Sequence, residues 1–236
     1  MATLFIAGAS GYTGQALVRV ASGTHRVIAH IRPGAKGDAL SGELAGLGVE
    51  VDRSPWEEQA LRERLSEIEP DYVFGLLGTT RARGKAAARE GGPVESYETV
   101  DRDLSLMLAR AAQGAKRPPR YVYLSSLGAD RPGGNAYLRA RTEVEQALMS
   151  GPLPWTIARP SFITGPDRTE DRPGERYGAL FARVGLGLAA AVGASGLRDA
   201  YGEMDGTTLA RALLRAALDP ACAGKVLEAK DLRRLS

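Results

Sequence analysis

The sequence predicts an α/β fold: a doubly wound parallel sheet of about six to seven strands with helices on both faces and a small C-terminal cap. Three observations carry this. Short apolar runs alternate with longer stretches of helical spacing. The first run ends directly in a glycine-rich turn. Neither an internal repeat nor a long linker divides the 236 residues, so one domain is expected over 1–236.

Taken in order, TLFIAG (3–8) reads as a buried strand and GYTGQALVRVAS as a helix. HRVIAHIR (25–32) and VEVD (49–52) are the second and third strands. SPWEEQALRERLSEI opens with Ser54 as N-cap, Pro55 at the first helical position and Glu57 completing a capping box. DYVFGLLG (71–78) is the fourth strand. PVESYETVDRDLSLMLARAAQ then predicts one long helix, ended by glycine and the breaker run KRPPR. RYVYLSS (120–126) is a fifth strand, NAYLRARTEVEQALM a helix, and PWTIARP (154–160) a sixth strand. After Pro160 come a polar loop, DRTEDRPGERYG, and a glycine-weakened helix, GALFARVGLGLAAAVG. A clearer helix, DGTTLARALLRAAL, is capped by Asp205 or Thr207, and KVLEA is a last short strand.

Composition excludes several classes. Apolar residues make up 44% and charged residues 25%, ordinary for a globular domain. The net charge of +3 comes with no recognition motif, so no nucleic-acid partner is expected. One cysteine, Cys222, forbids an internal disulfide framework, and two histidines, His25 and His30, leave no zinc site. The start MATLFIAG lacks the basic segment of a secretory signal, and VGLGLAAAVGASGL is short and glycine-broken. A soluble, cytoplasmic protein with no membrane partner and no metal is the expectation.

GASGYTG places Gly8, Gly11 and Gly14 between a strand and a helix. Missing side chains let backbone N–H groups approach a pyrophosphate, and the helix N-terminus faces it with partial positive charge. The loop residues Gly8, Ser10, Gly11, Tyr12, Thr13 and Gly14 are therefore candidate nucleotide ligands, the alternative being a purely structural turn. The spacing is GxxGxxG rather than GxGxxG. An acid at the end of the second strand would accept from a ribose 2′-hydroxyl. Arg32 stands there instead, with Lys36 nearby, which suits a 2′-phosphate and points to NADP(H). Asp52 either accepts from an adenine amino group or is a solvated strand-end carboxylate. Leu77, Gly78 and Thr79 close the fourth strand with small residues where adenosine would pass. The basic run TTRARGKAAAR (79–89) either steers an anion to the cleft or is a solvated loop.

GASGYTG, a strand ending LSS and YxxxR on the next helix together resemble the short-chain dehydrogenase/reductase superfamily. LGTTR (77–81), VDRD (100–103), LSSLGAD (124–130), YLRARTEVE (137–145) and the run from Arg159 to Glu175 containing RPGE narrow the resemblance. They are similar to the atypical, NmrA-like NAD(P)H-binding group that includes the Tat-interacting protein CC3 and its bacterial relatives. The resemblance implies a Rossmann-like fold holding NADPH, with residues 161–236 contributing the substrate-side rim. It implies Tyr137 as proton donor and Ser126, or else Ser125, as the group orienting the substrate oxygen. Pro160, Ser161 and Phe162 would pack on the nicotinamide. The family's lysine, which holds the nicotinamide ribose and lowers the tyrosine pKa, is replaced by Arg141. Two functions follow. One is an oxidoreductase moving hydride between NADPH and a small carbonyl or alcohol. The other is a non-catalytic, NADPH-sensing protein with a regulatory protein partner. A monomer or weak dimer is expected in either case.

Overall fold

The computed structural model describes residues 1–32, 35–79, 84–85, 89, 95–131, 135–161, 163–164 and 204–236. Seven parallel strands form the main sheet: β1 (Thr3–Ala7), β2 (Arg26–His30), β3 (Glu50–Asp52), β4 (Tyr72–Gly75), β5 (Arg120–Leu124), β6 (Trp155–Arg159) and, after a separate pair, β9 (Lys225–Glu228). Their order is β3-β2-β1-β4-β5-β6-β9. The separate pair is β7 (Ile163–Thr164) with β8 (Met204–Asp205), also parallel. The strand order reverses direction beside β1, so a crevice opens at the carboxyl ends of β1 and β4, where such sheets bind ligands.

Alternation within each strand feeds two cores. Leu4 and Ile6 of β1, Phe74 of β4 and Val122 of β5 face one side with Leu17 and Val18 of α1 (Tyr12–Ala21) and Leu44 of α2 (Ala35–Gly46). Leu209 and Leu213 of the helix Gly206–Leu218 and Leu232 of the helix Ala229–Leu235 complete that layer. Phe5, Val73, Tyr121, Tyr123 and Ile157 face the other side, against α3 (Glu58–Ile68), α4 (Leu104–Gln113) and α5 (Ala136–Ser150). The last two helices, Gly206–Leu218 and Ala229–Leu235, are α6 and α7. Burying each such aliphatic side chain stabilises the fold by about 1.5–3 kcal/mol, enough in sum to offset chain ordering.

Several expectations change in detail. The helix after β3 starts at Glu58, with Glu57 rather than Ser54 at its cap and no side-chain cap bond. Ser54 is drawn off by Asp52, to which its N–H and hydroxyl donate at 3.3 and 3.0 Å. The long helix expected from residue 93 begins at Tyr97 as a π-helical stretch, Tyr97–Asp103, and only then continues as α4. Ser96 caps it, accepting from the Thr99 N–H, and Thr99 returns the bond to the Ser96 N–H. Of the stretch expected to form a cap, residues 204–236 lie in the sheet and its helical layer. The polar loop, the glycine-weakened helix and RPGE lie outside the described residues, as does most of the basic run 79–89.

Candidate functional site

The glycine turn is packed against the end of β4. Gly8 has φ +86°, and a Cβ there would stand 2.7 Å from the Leu76 carbonyl oxygen. The Gly11 N–H donates back to the Gly8 carbonyl at 2.9 Å. A Cβ on Gly14 would lie 2.1 Å from that same oxygen, so only glycine lets α1 approach its strand this closely. Gly11 caps α1 without any side-chain bond to the first-turn N–H groups. Those donors and the helix dipole face the crevice, beside exposed Ser10 and buried Thr13. Tyr12 reaches the C-terminal part of the chain: its hydroxyl accepts from the Gly206 N–H at 3.3 Å. Its expected place as a nucleotide ligand therefore comes with a packing role at the start of α6. A glycine cradle beside an uncapped helix N-terminus fits a dinucleotide pyrophosphate.

The ends of β2, β3 and β4 hold more charge than the sequence suggests. Arg32 Nη1 donates to Glu95 Oε1 at 2.6 Å, while Glu95 Oε2 accepts from the Thr79 hydroxyl at 3.0 Å. Glu95 thus spans from the end of β2 to the end of β4. Asp52 is buried, correcting the solvated alternative: Oδ1 accepts from Arg64 Nε at 2.8 Å and from Ser54. Arg64 and Ser54 thus share the carboxylate for which a contact to adenine was one of two alternatives. His30, next to it, donates to the Ser54 carbonyl at 2.9 Å and stacks edge-on to Trp56. Burial holds its pKa below the ordinary histidine value. Leu77 and Thr79 are buried, and Gly78 sits where a Cβ would meet Arg141 Nη2 at 2.8 Å.

Tyr137 and Arg141 are both buried, one turn apart on α5, with the guanidinium carbon 5.2 Å from the Tyr137 ring centre. Tyr97 meets the Tyr137 ring edge-on, with 5.3 Å between ring centres. Arg141 Nη2 donates to Asp101 Oδ1 at 2.7 Å and to the Leu77 carbonyl at 2.9 Å. Nη1 donates to the Leu124 carbonyl at 2.8 Å and to the Tyr123 hydroxyl at 3.2 Å. Both terminal nitrogens of Arg141, the residue expected at the nicotinamide ribose, serve protein acceptors, while its buried Nε has no hydrogen-bond partner among the described residues. The planar fork serves four acceptors, two strand-end carbonyls, a carboxylate and a phenol, one more than the three donors of a lysine. Burial opposes the charge on Arg141, but Tyr123, Tyr137 and Asp101 outweigh it and raise its pKa well above the usual value. Burial pushes Tyr123 up to about 12, against the pull of Arg141.

Ser125 is buried with no hydrogen-bond partner for its hydroxyl, whereas Ser126 is half-buried. An unpaired buried hydroxyl costs about 1–3 kcal/mol, so a bound group that pairs with it recovers part of that cost. The Pro160 carbonyl accepts from the Leu127 N–H at 3.1 Å, fixing the turn after β6 to the turn after β5. Phe162 lies outside the described residues. Sequence reasoning missed Glu95, Asp101 and Arg64. The one available signal was the VDRD motif, which was noted without a role for its buried first aspartate.

Fold and site together define a Rossmann-type protein for a nicotinamide dinucleotide. The chain belongs to the NAD(P)H-binding family, which matches residues 8–182. It is 34% identical over 156 residues to "Protein fmp52, mitochondrial" of Emericella nidulans, covering 66% of this chain and 61% of that protein. The namesake from Aspergillus fumigatus is 31% identical over 226 residues, covering 92% and 88%. Among solved structures, a candidate NAD-dependent epimerase/dehydratase from Bacillus halodurans superposes with a TM-score of 0.64 at 16% identity, covering 99% of both chains. A short-chain dehydrogenase/reductase superfamily protein from Agrobacterium tumefaciens with bound NAD gives 0.59 at 18% identity, covering 95% and 76%. The cytoplasmic expectation is overturned by the fungal relatives, both named as mitochondrial. It rested on reading MATLFIAG as unlike a secretory signal and VGLGLAAAVGASGL as too short to span a bilayer, neither of which bears on that destination.

Proposed function

We propose that the protein is an NADP(H)-dependent oxidoreductase acting on a small carbonyl or its alcohol. The observation that carries this is the Gly8–Gly14 turn, packed too tightly for side chains at Gly8 and Gly14, at a helix start with no side-chain cap. Its backbone donors hold the pyrophosphate, Arg32 the 2′-phosphate, and Leu77 to Thr79 the adenosine. Bound there, the nicotinamide supplies or takes up a hydride. Tyr137 moves a proton at the substrate oxygen, and the unpaired hydroxyl of Ser125, or that of Ser126, orients that oxygen. The whole chain works as one unit, and LGTTR, VDRD and LSSLGAD support a relationship to the Tat-interacting CC3-like proteins.

Fluorescence titration with NADPH and, separately, NADH tests the reading. Micromolar NADPH binding that weakens in Arg32→Ala supports it. Absence of binding by either nucleotide makes the turn structural and ends it. A second reading, a regulatory protein that binds NADPH without turnover, is favoured by one observation: both terminal nitrogens of Arg141 are already taken by the fold. Slow reduction of carbonyl substrates that disappears in Tyr137→Phe, with nucleotide binding retained, decides for the enzyme.

A further inference from the structure

The sequence lacks an acid at the end of β2, yet the fold returns one to that place from far along the chain. Glu95 grips Arg32 with one carboxylate oxygen and Thr79 with the other. Because β1 lies between β2 and β4, this bridge crosses the carboxyl end of β1, where the glycine turn opens. Its two ends differ in access. The Arg32 side chain is 46% exposed, while that of Glu95 is 11% exposed and Thr79 only 3%. Glu95 is therefore anchored from the protein side, and Arg32 is the member a ligand meets.

A carboxylate and a guanidinium in one contact make opposite demands on a ribose. The carboxylate accepts from a 2′-hydroxyl, as the acid of NAD-type folds does. The guanidinium pairs with a 2′-phosphate, but with Glu95 on Nη1 that dianion comes to lie beside a carboxylate of like charge. We propose that Glu95 is the residue that discriminates between the two nucleotides, by competing with a 2′-phosphate for Arg32 and by accepting from a 2′-hydroxyl. The proposal rests on the reading that adenosine lies at Arg32, and it makes selectivity a contest between Arg32 and Glu95. Thr79 acts as the positioning residue: its hydroxyl keeps the carboxylate turned to Arg32.

The test is a comparison of affinity ratios, not of activity. NADPH and NADH are titrated against the wild-type protein, Glu95→Gln and Glu95→Gln/Arg32→Ala, with adenosine 2′,5′-bisphosphate and 5′-AMP as probes of the adenosine half. Removing the competing charge is expected to raise the NADPH-to-NADH affinity ratio on the order of fivefold, the scale of one partly exposed ion pair. The bisphosphate-to-monophosphate ratio rises in parallel, and the added Arg32→Ala cancels most of the gain. Glu95→Asp, one methylene shorter, moves both ratios the same way by a smaller factor and serves should the glutamine variant not fold. A ratio that stays within twofold, or falls, while both nucleotides still bind overturns the assignment of Glu95 alone. Failure of both nucleotides to bind the wild-type protein overturns the nucleotide site and this proposal together.

Discussion

Arg141 and Asp101 form a fully buried ion pair at 2.7 Å, between α5 and the π-helical stretch that leads into α4. Asp101 Oδ2 also accepts from the Thr79 N–H at 2.8 Å, so one carboxylate ties the end of β4 to the guanidinium. Taking two charges out of water is repaid only when further hydrogen bonds satisfy them, and here both terminal nitrogens are satisfied while the buried Nε has no hydrogen-bond partner among the described residues.

Removing one partner is therefore expected to be severe. Arg141→Met strands a buried carboxylate and costs about 3–5 kcal/mol in urea unfolding. Arg141→Lys keeps the charge but cannot serve four acceptors, so it costs about 1–3 kcal/mol, the scale of buried groups left unsatisfied. Turnover that rises in Arg141→Lys with stability unchanged would contradict this account of the residue.

The glycine turn gives a second expectation. Gly14→Ala drives a methyl group into the Gly8 carbonyl oxygen, 2.1 Å from the ideal Cβ position. Overpacking of this kind costs about 1–3 kcal/mol. Because α1 must move away from the turn, nucleotide affinity falls with stability. Calorimetric titration beside thermal melting checks both, and unchanged affinity would separate the turn from binding.

The network at the far end of the sheet separates buried from exposed pairing. Arg159 grips Glu145 with two bonds, 3.0 and 2.6 Å, and reaches Glu228 at 3.0 Å. Glu145 is buried and Glu228 is more than a third exposed. Glu145→Ala leaves Arg159 paired with Glu228 and Asp130 but removes two buried bonds, and is expected to cost about 1–3 kcal/mol, whereas Glu228→Ala costs about 0–1 kcal/mol. Equal losses in denaturant titrations would refute the distinction.

His30 predicts a dependence on pH. Burial lowers its folded-state pKa from 6.5, so the unfolded chain takes up the proton first as pH falls. Its contribution is complete above pH 6.5 and is lost progressively below it. His25 shifts in the same direction, chiefly through burial, so the comparison needs a variant. His30→Gln is expected to flatten part of the fall in melting temperature between neutral and mildly acid pH. An identical fall in both proteins would remove His30 as a cause.

The order of the elements was legible because each strand is a short apolar run and each helix has its own spacing. The glycine turn was legible because it follows its strand directly. Helix starts were less so. Ser54, Pro55 and Glu57 spell a capping signal, yet Ser54 is claimed by Asp52, and that competition is tertiary. The roles of Arg141 and Glu95 were hidden for the same reason. Arg141 and Asp101 stand 40 positions apart, and Arg32 and Glu95 are separated by 63. A residue's type announces its charge, but only the fold announces which partner neutralises it.

The bond between Gly206 and Tyr12 joins residues 194 positions apart, and α6 covers α1 along the same seam. During synthesis, the outer face of α1 leaves the ribosome long before its cover is made. Leu17 and Val18 must wait for Leu209 and Leu213. The nascent chain therefore carries an open apolar flank until Gly206–Leu218 emerges, and a ribosome that stalls before that helix would present the flank to chaperones and proteases.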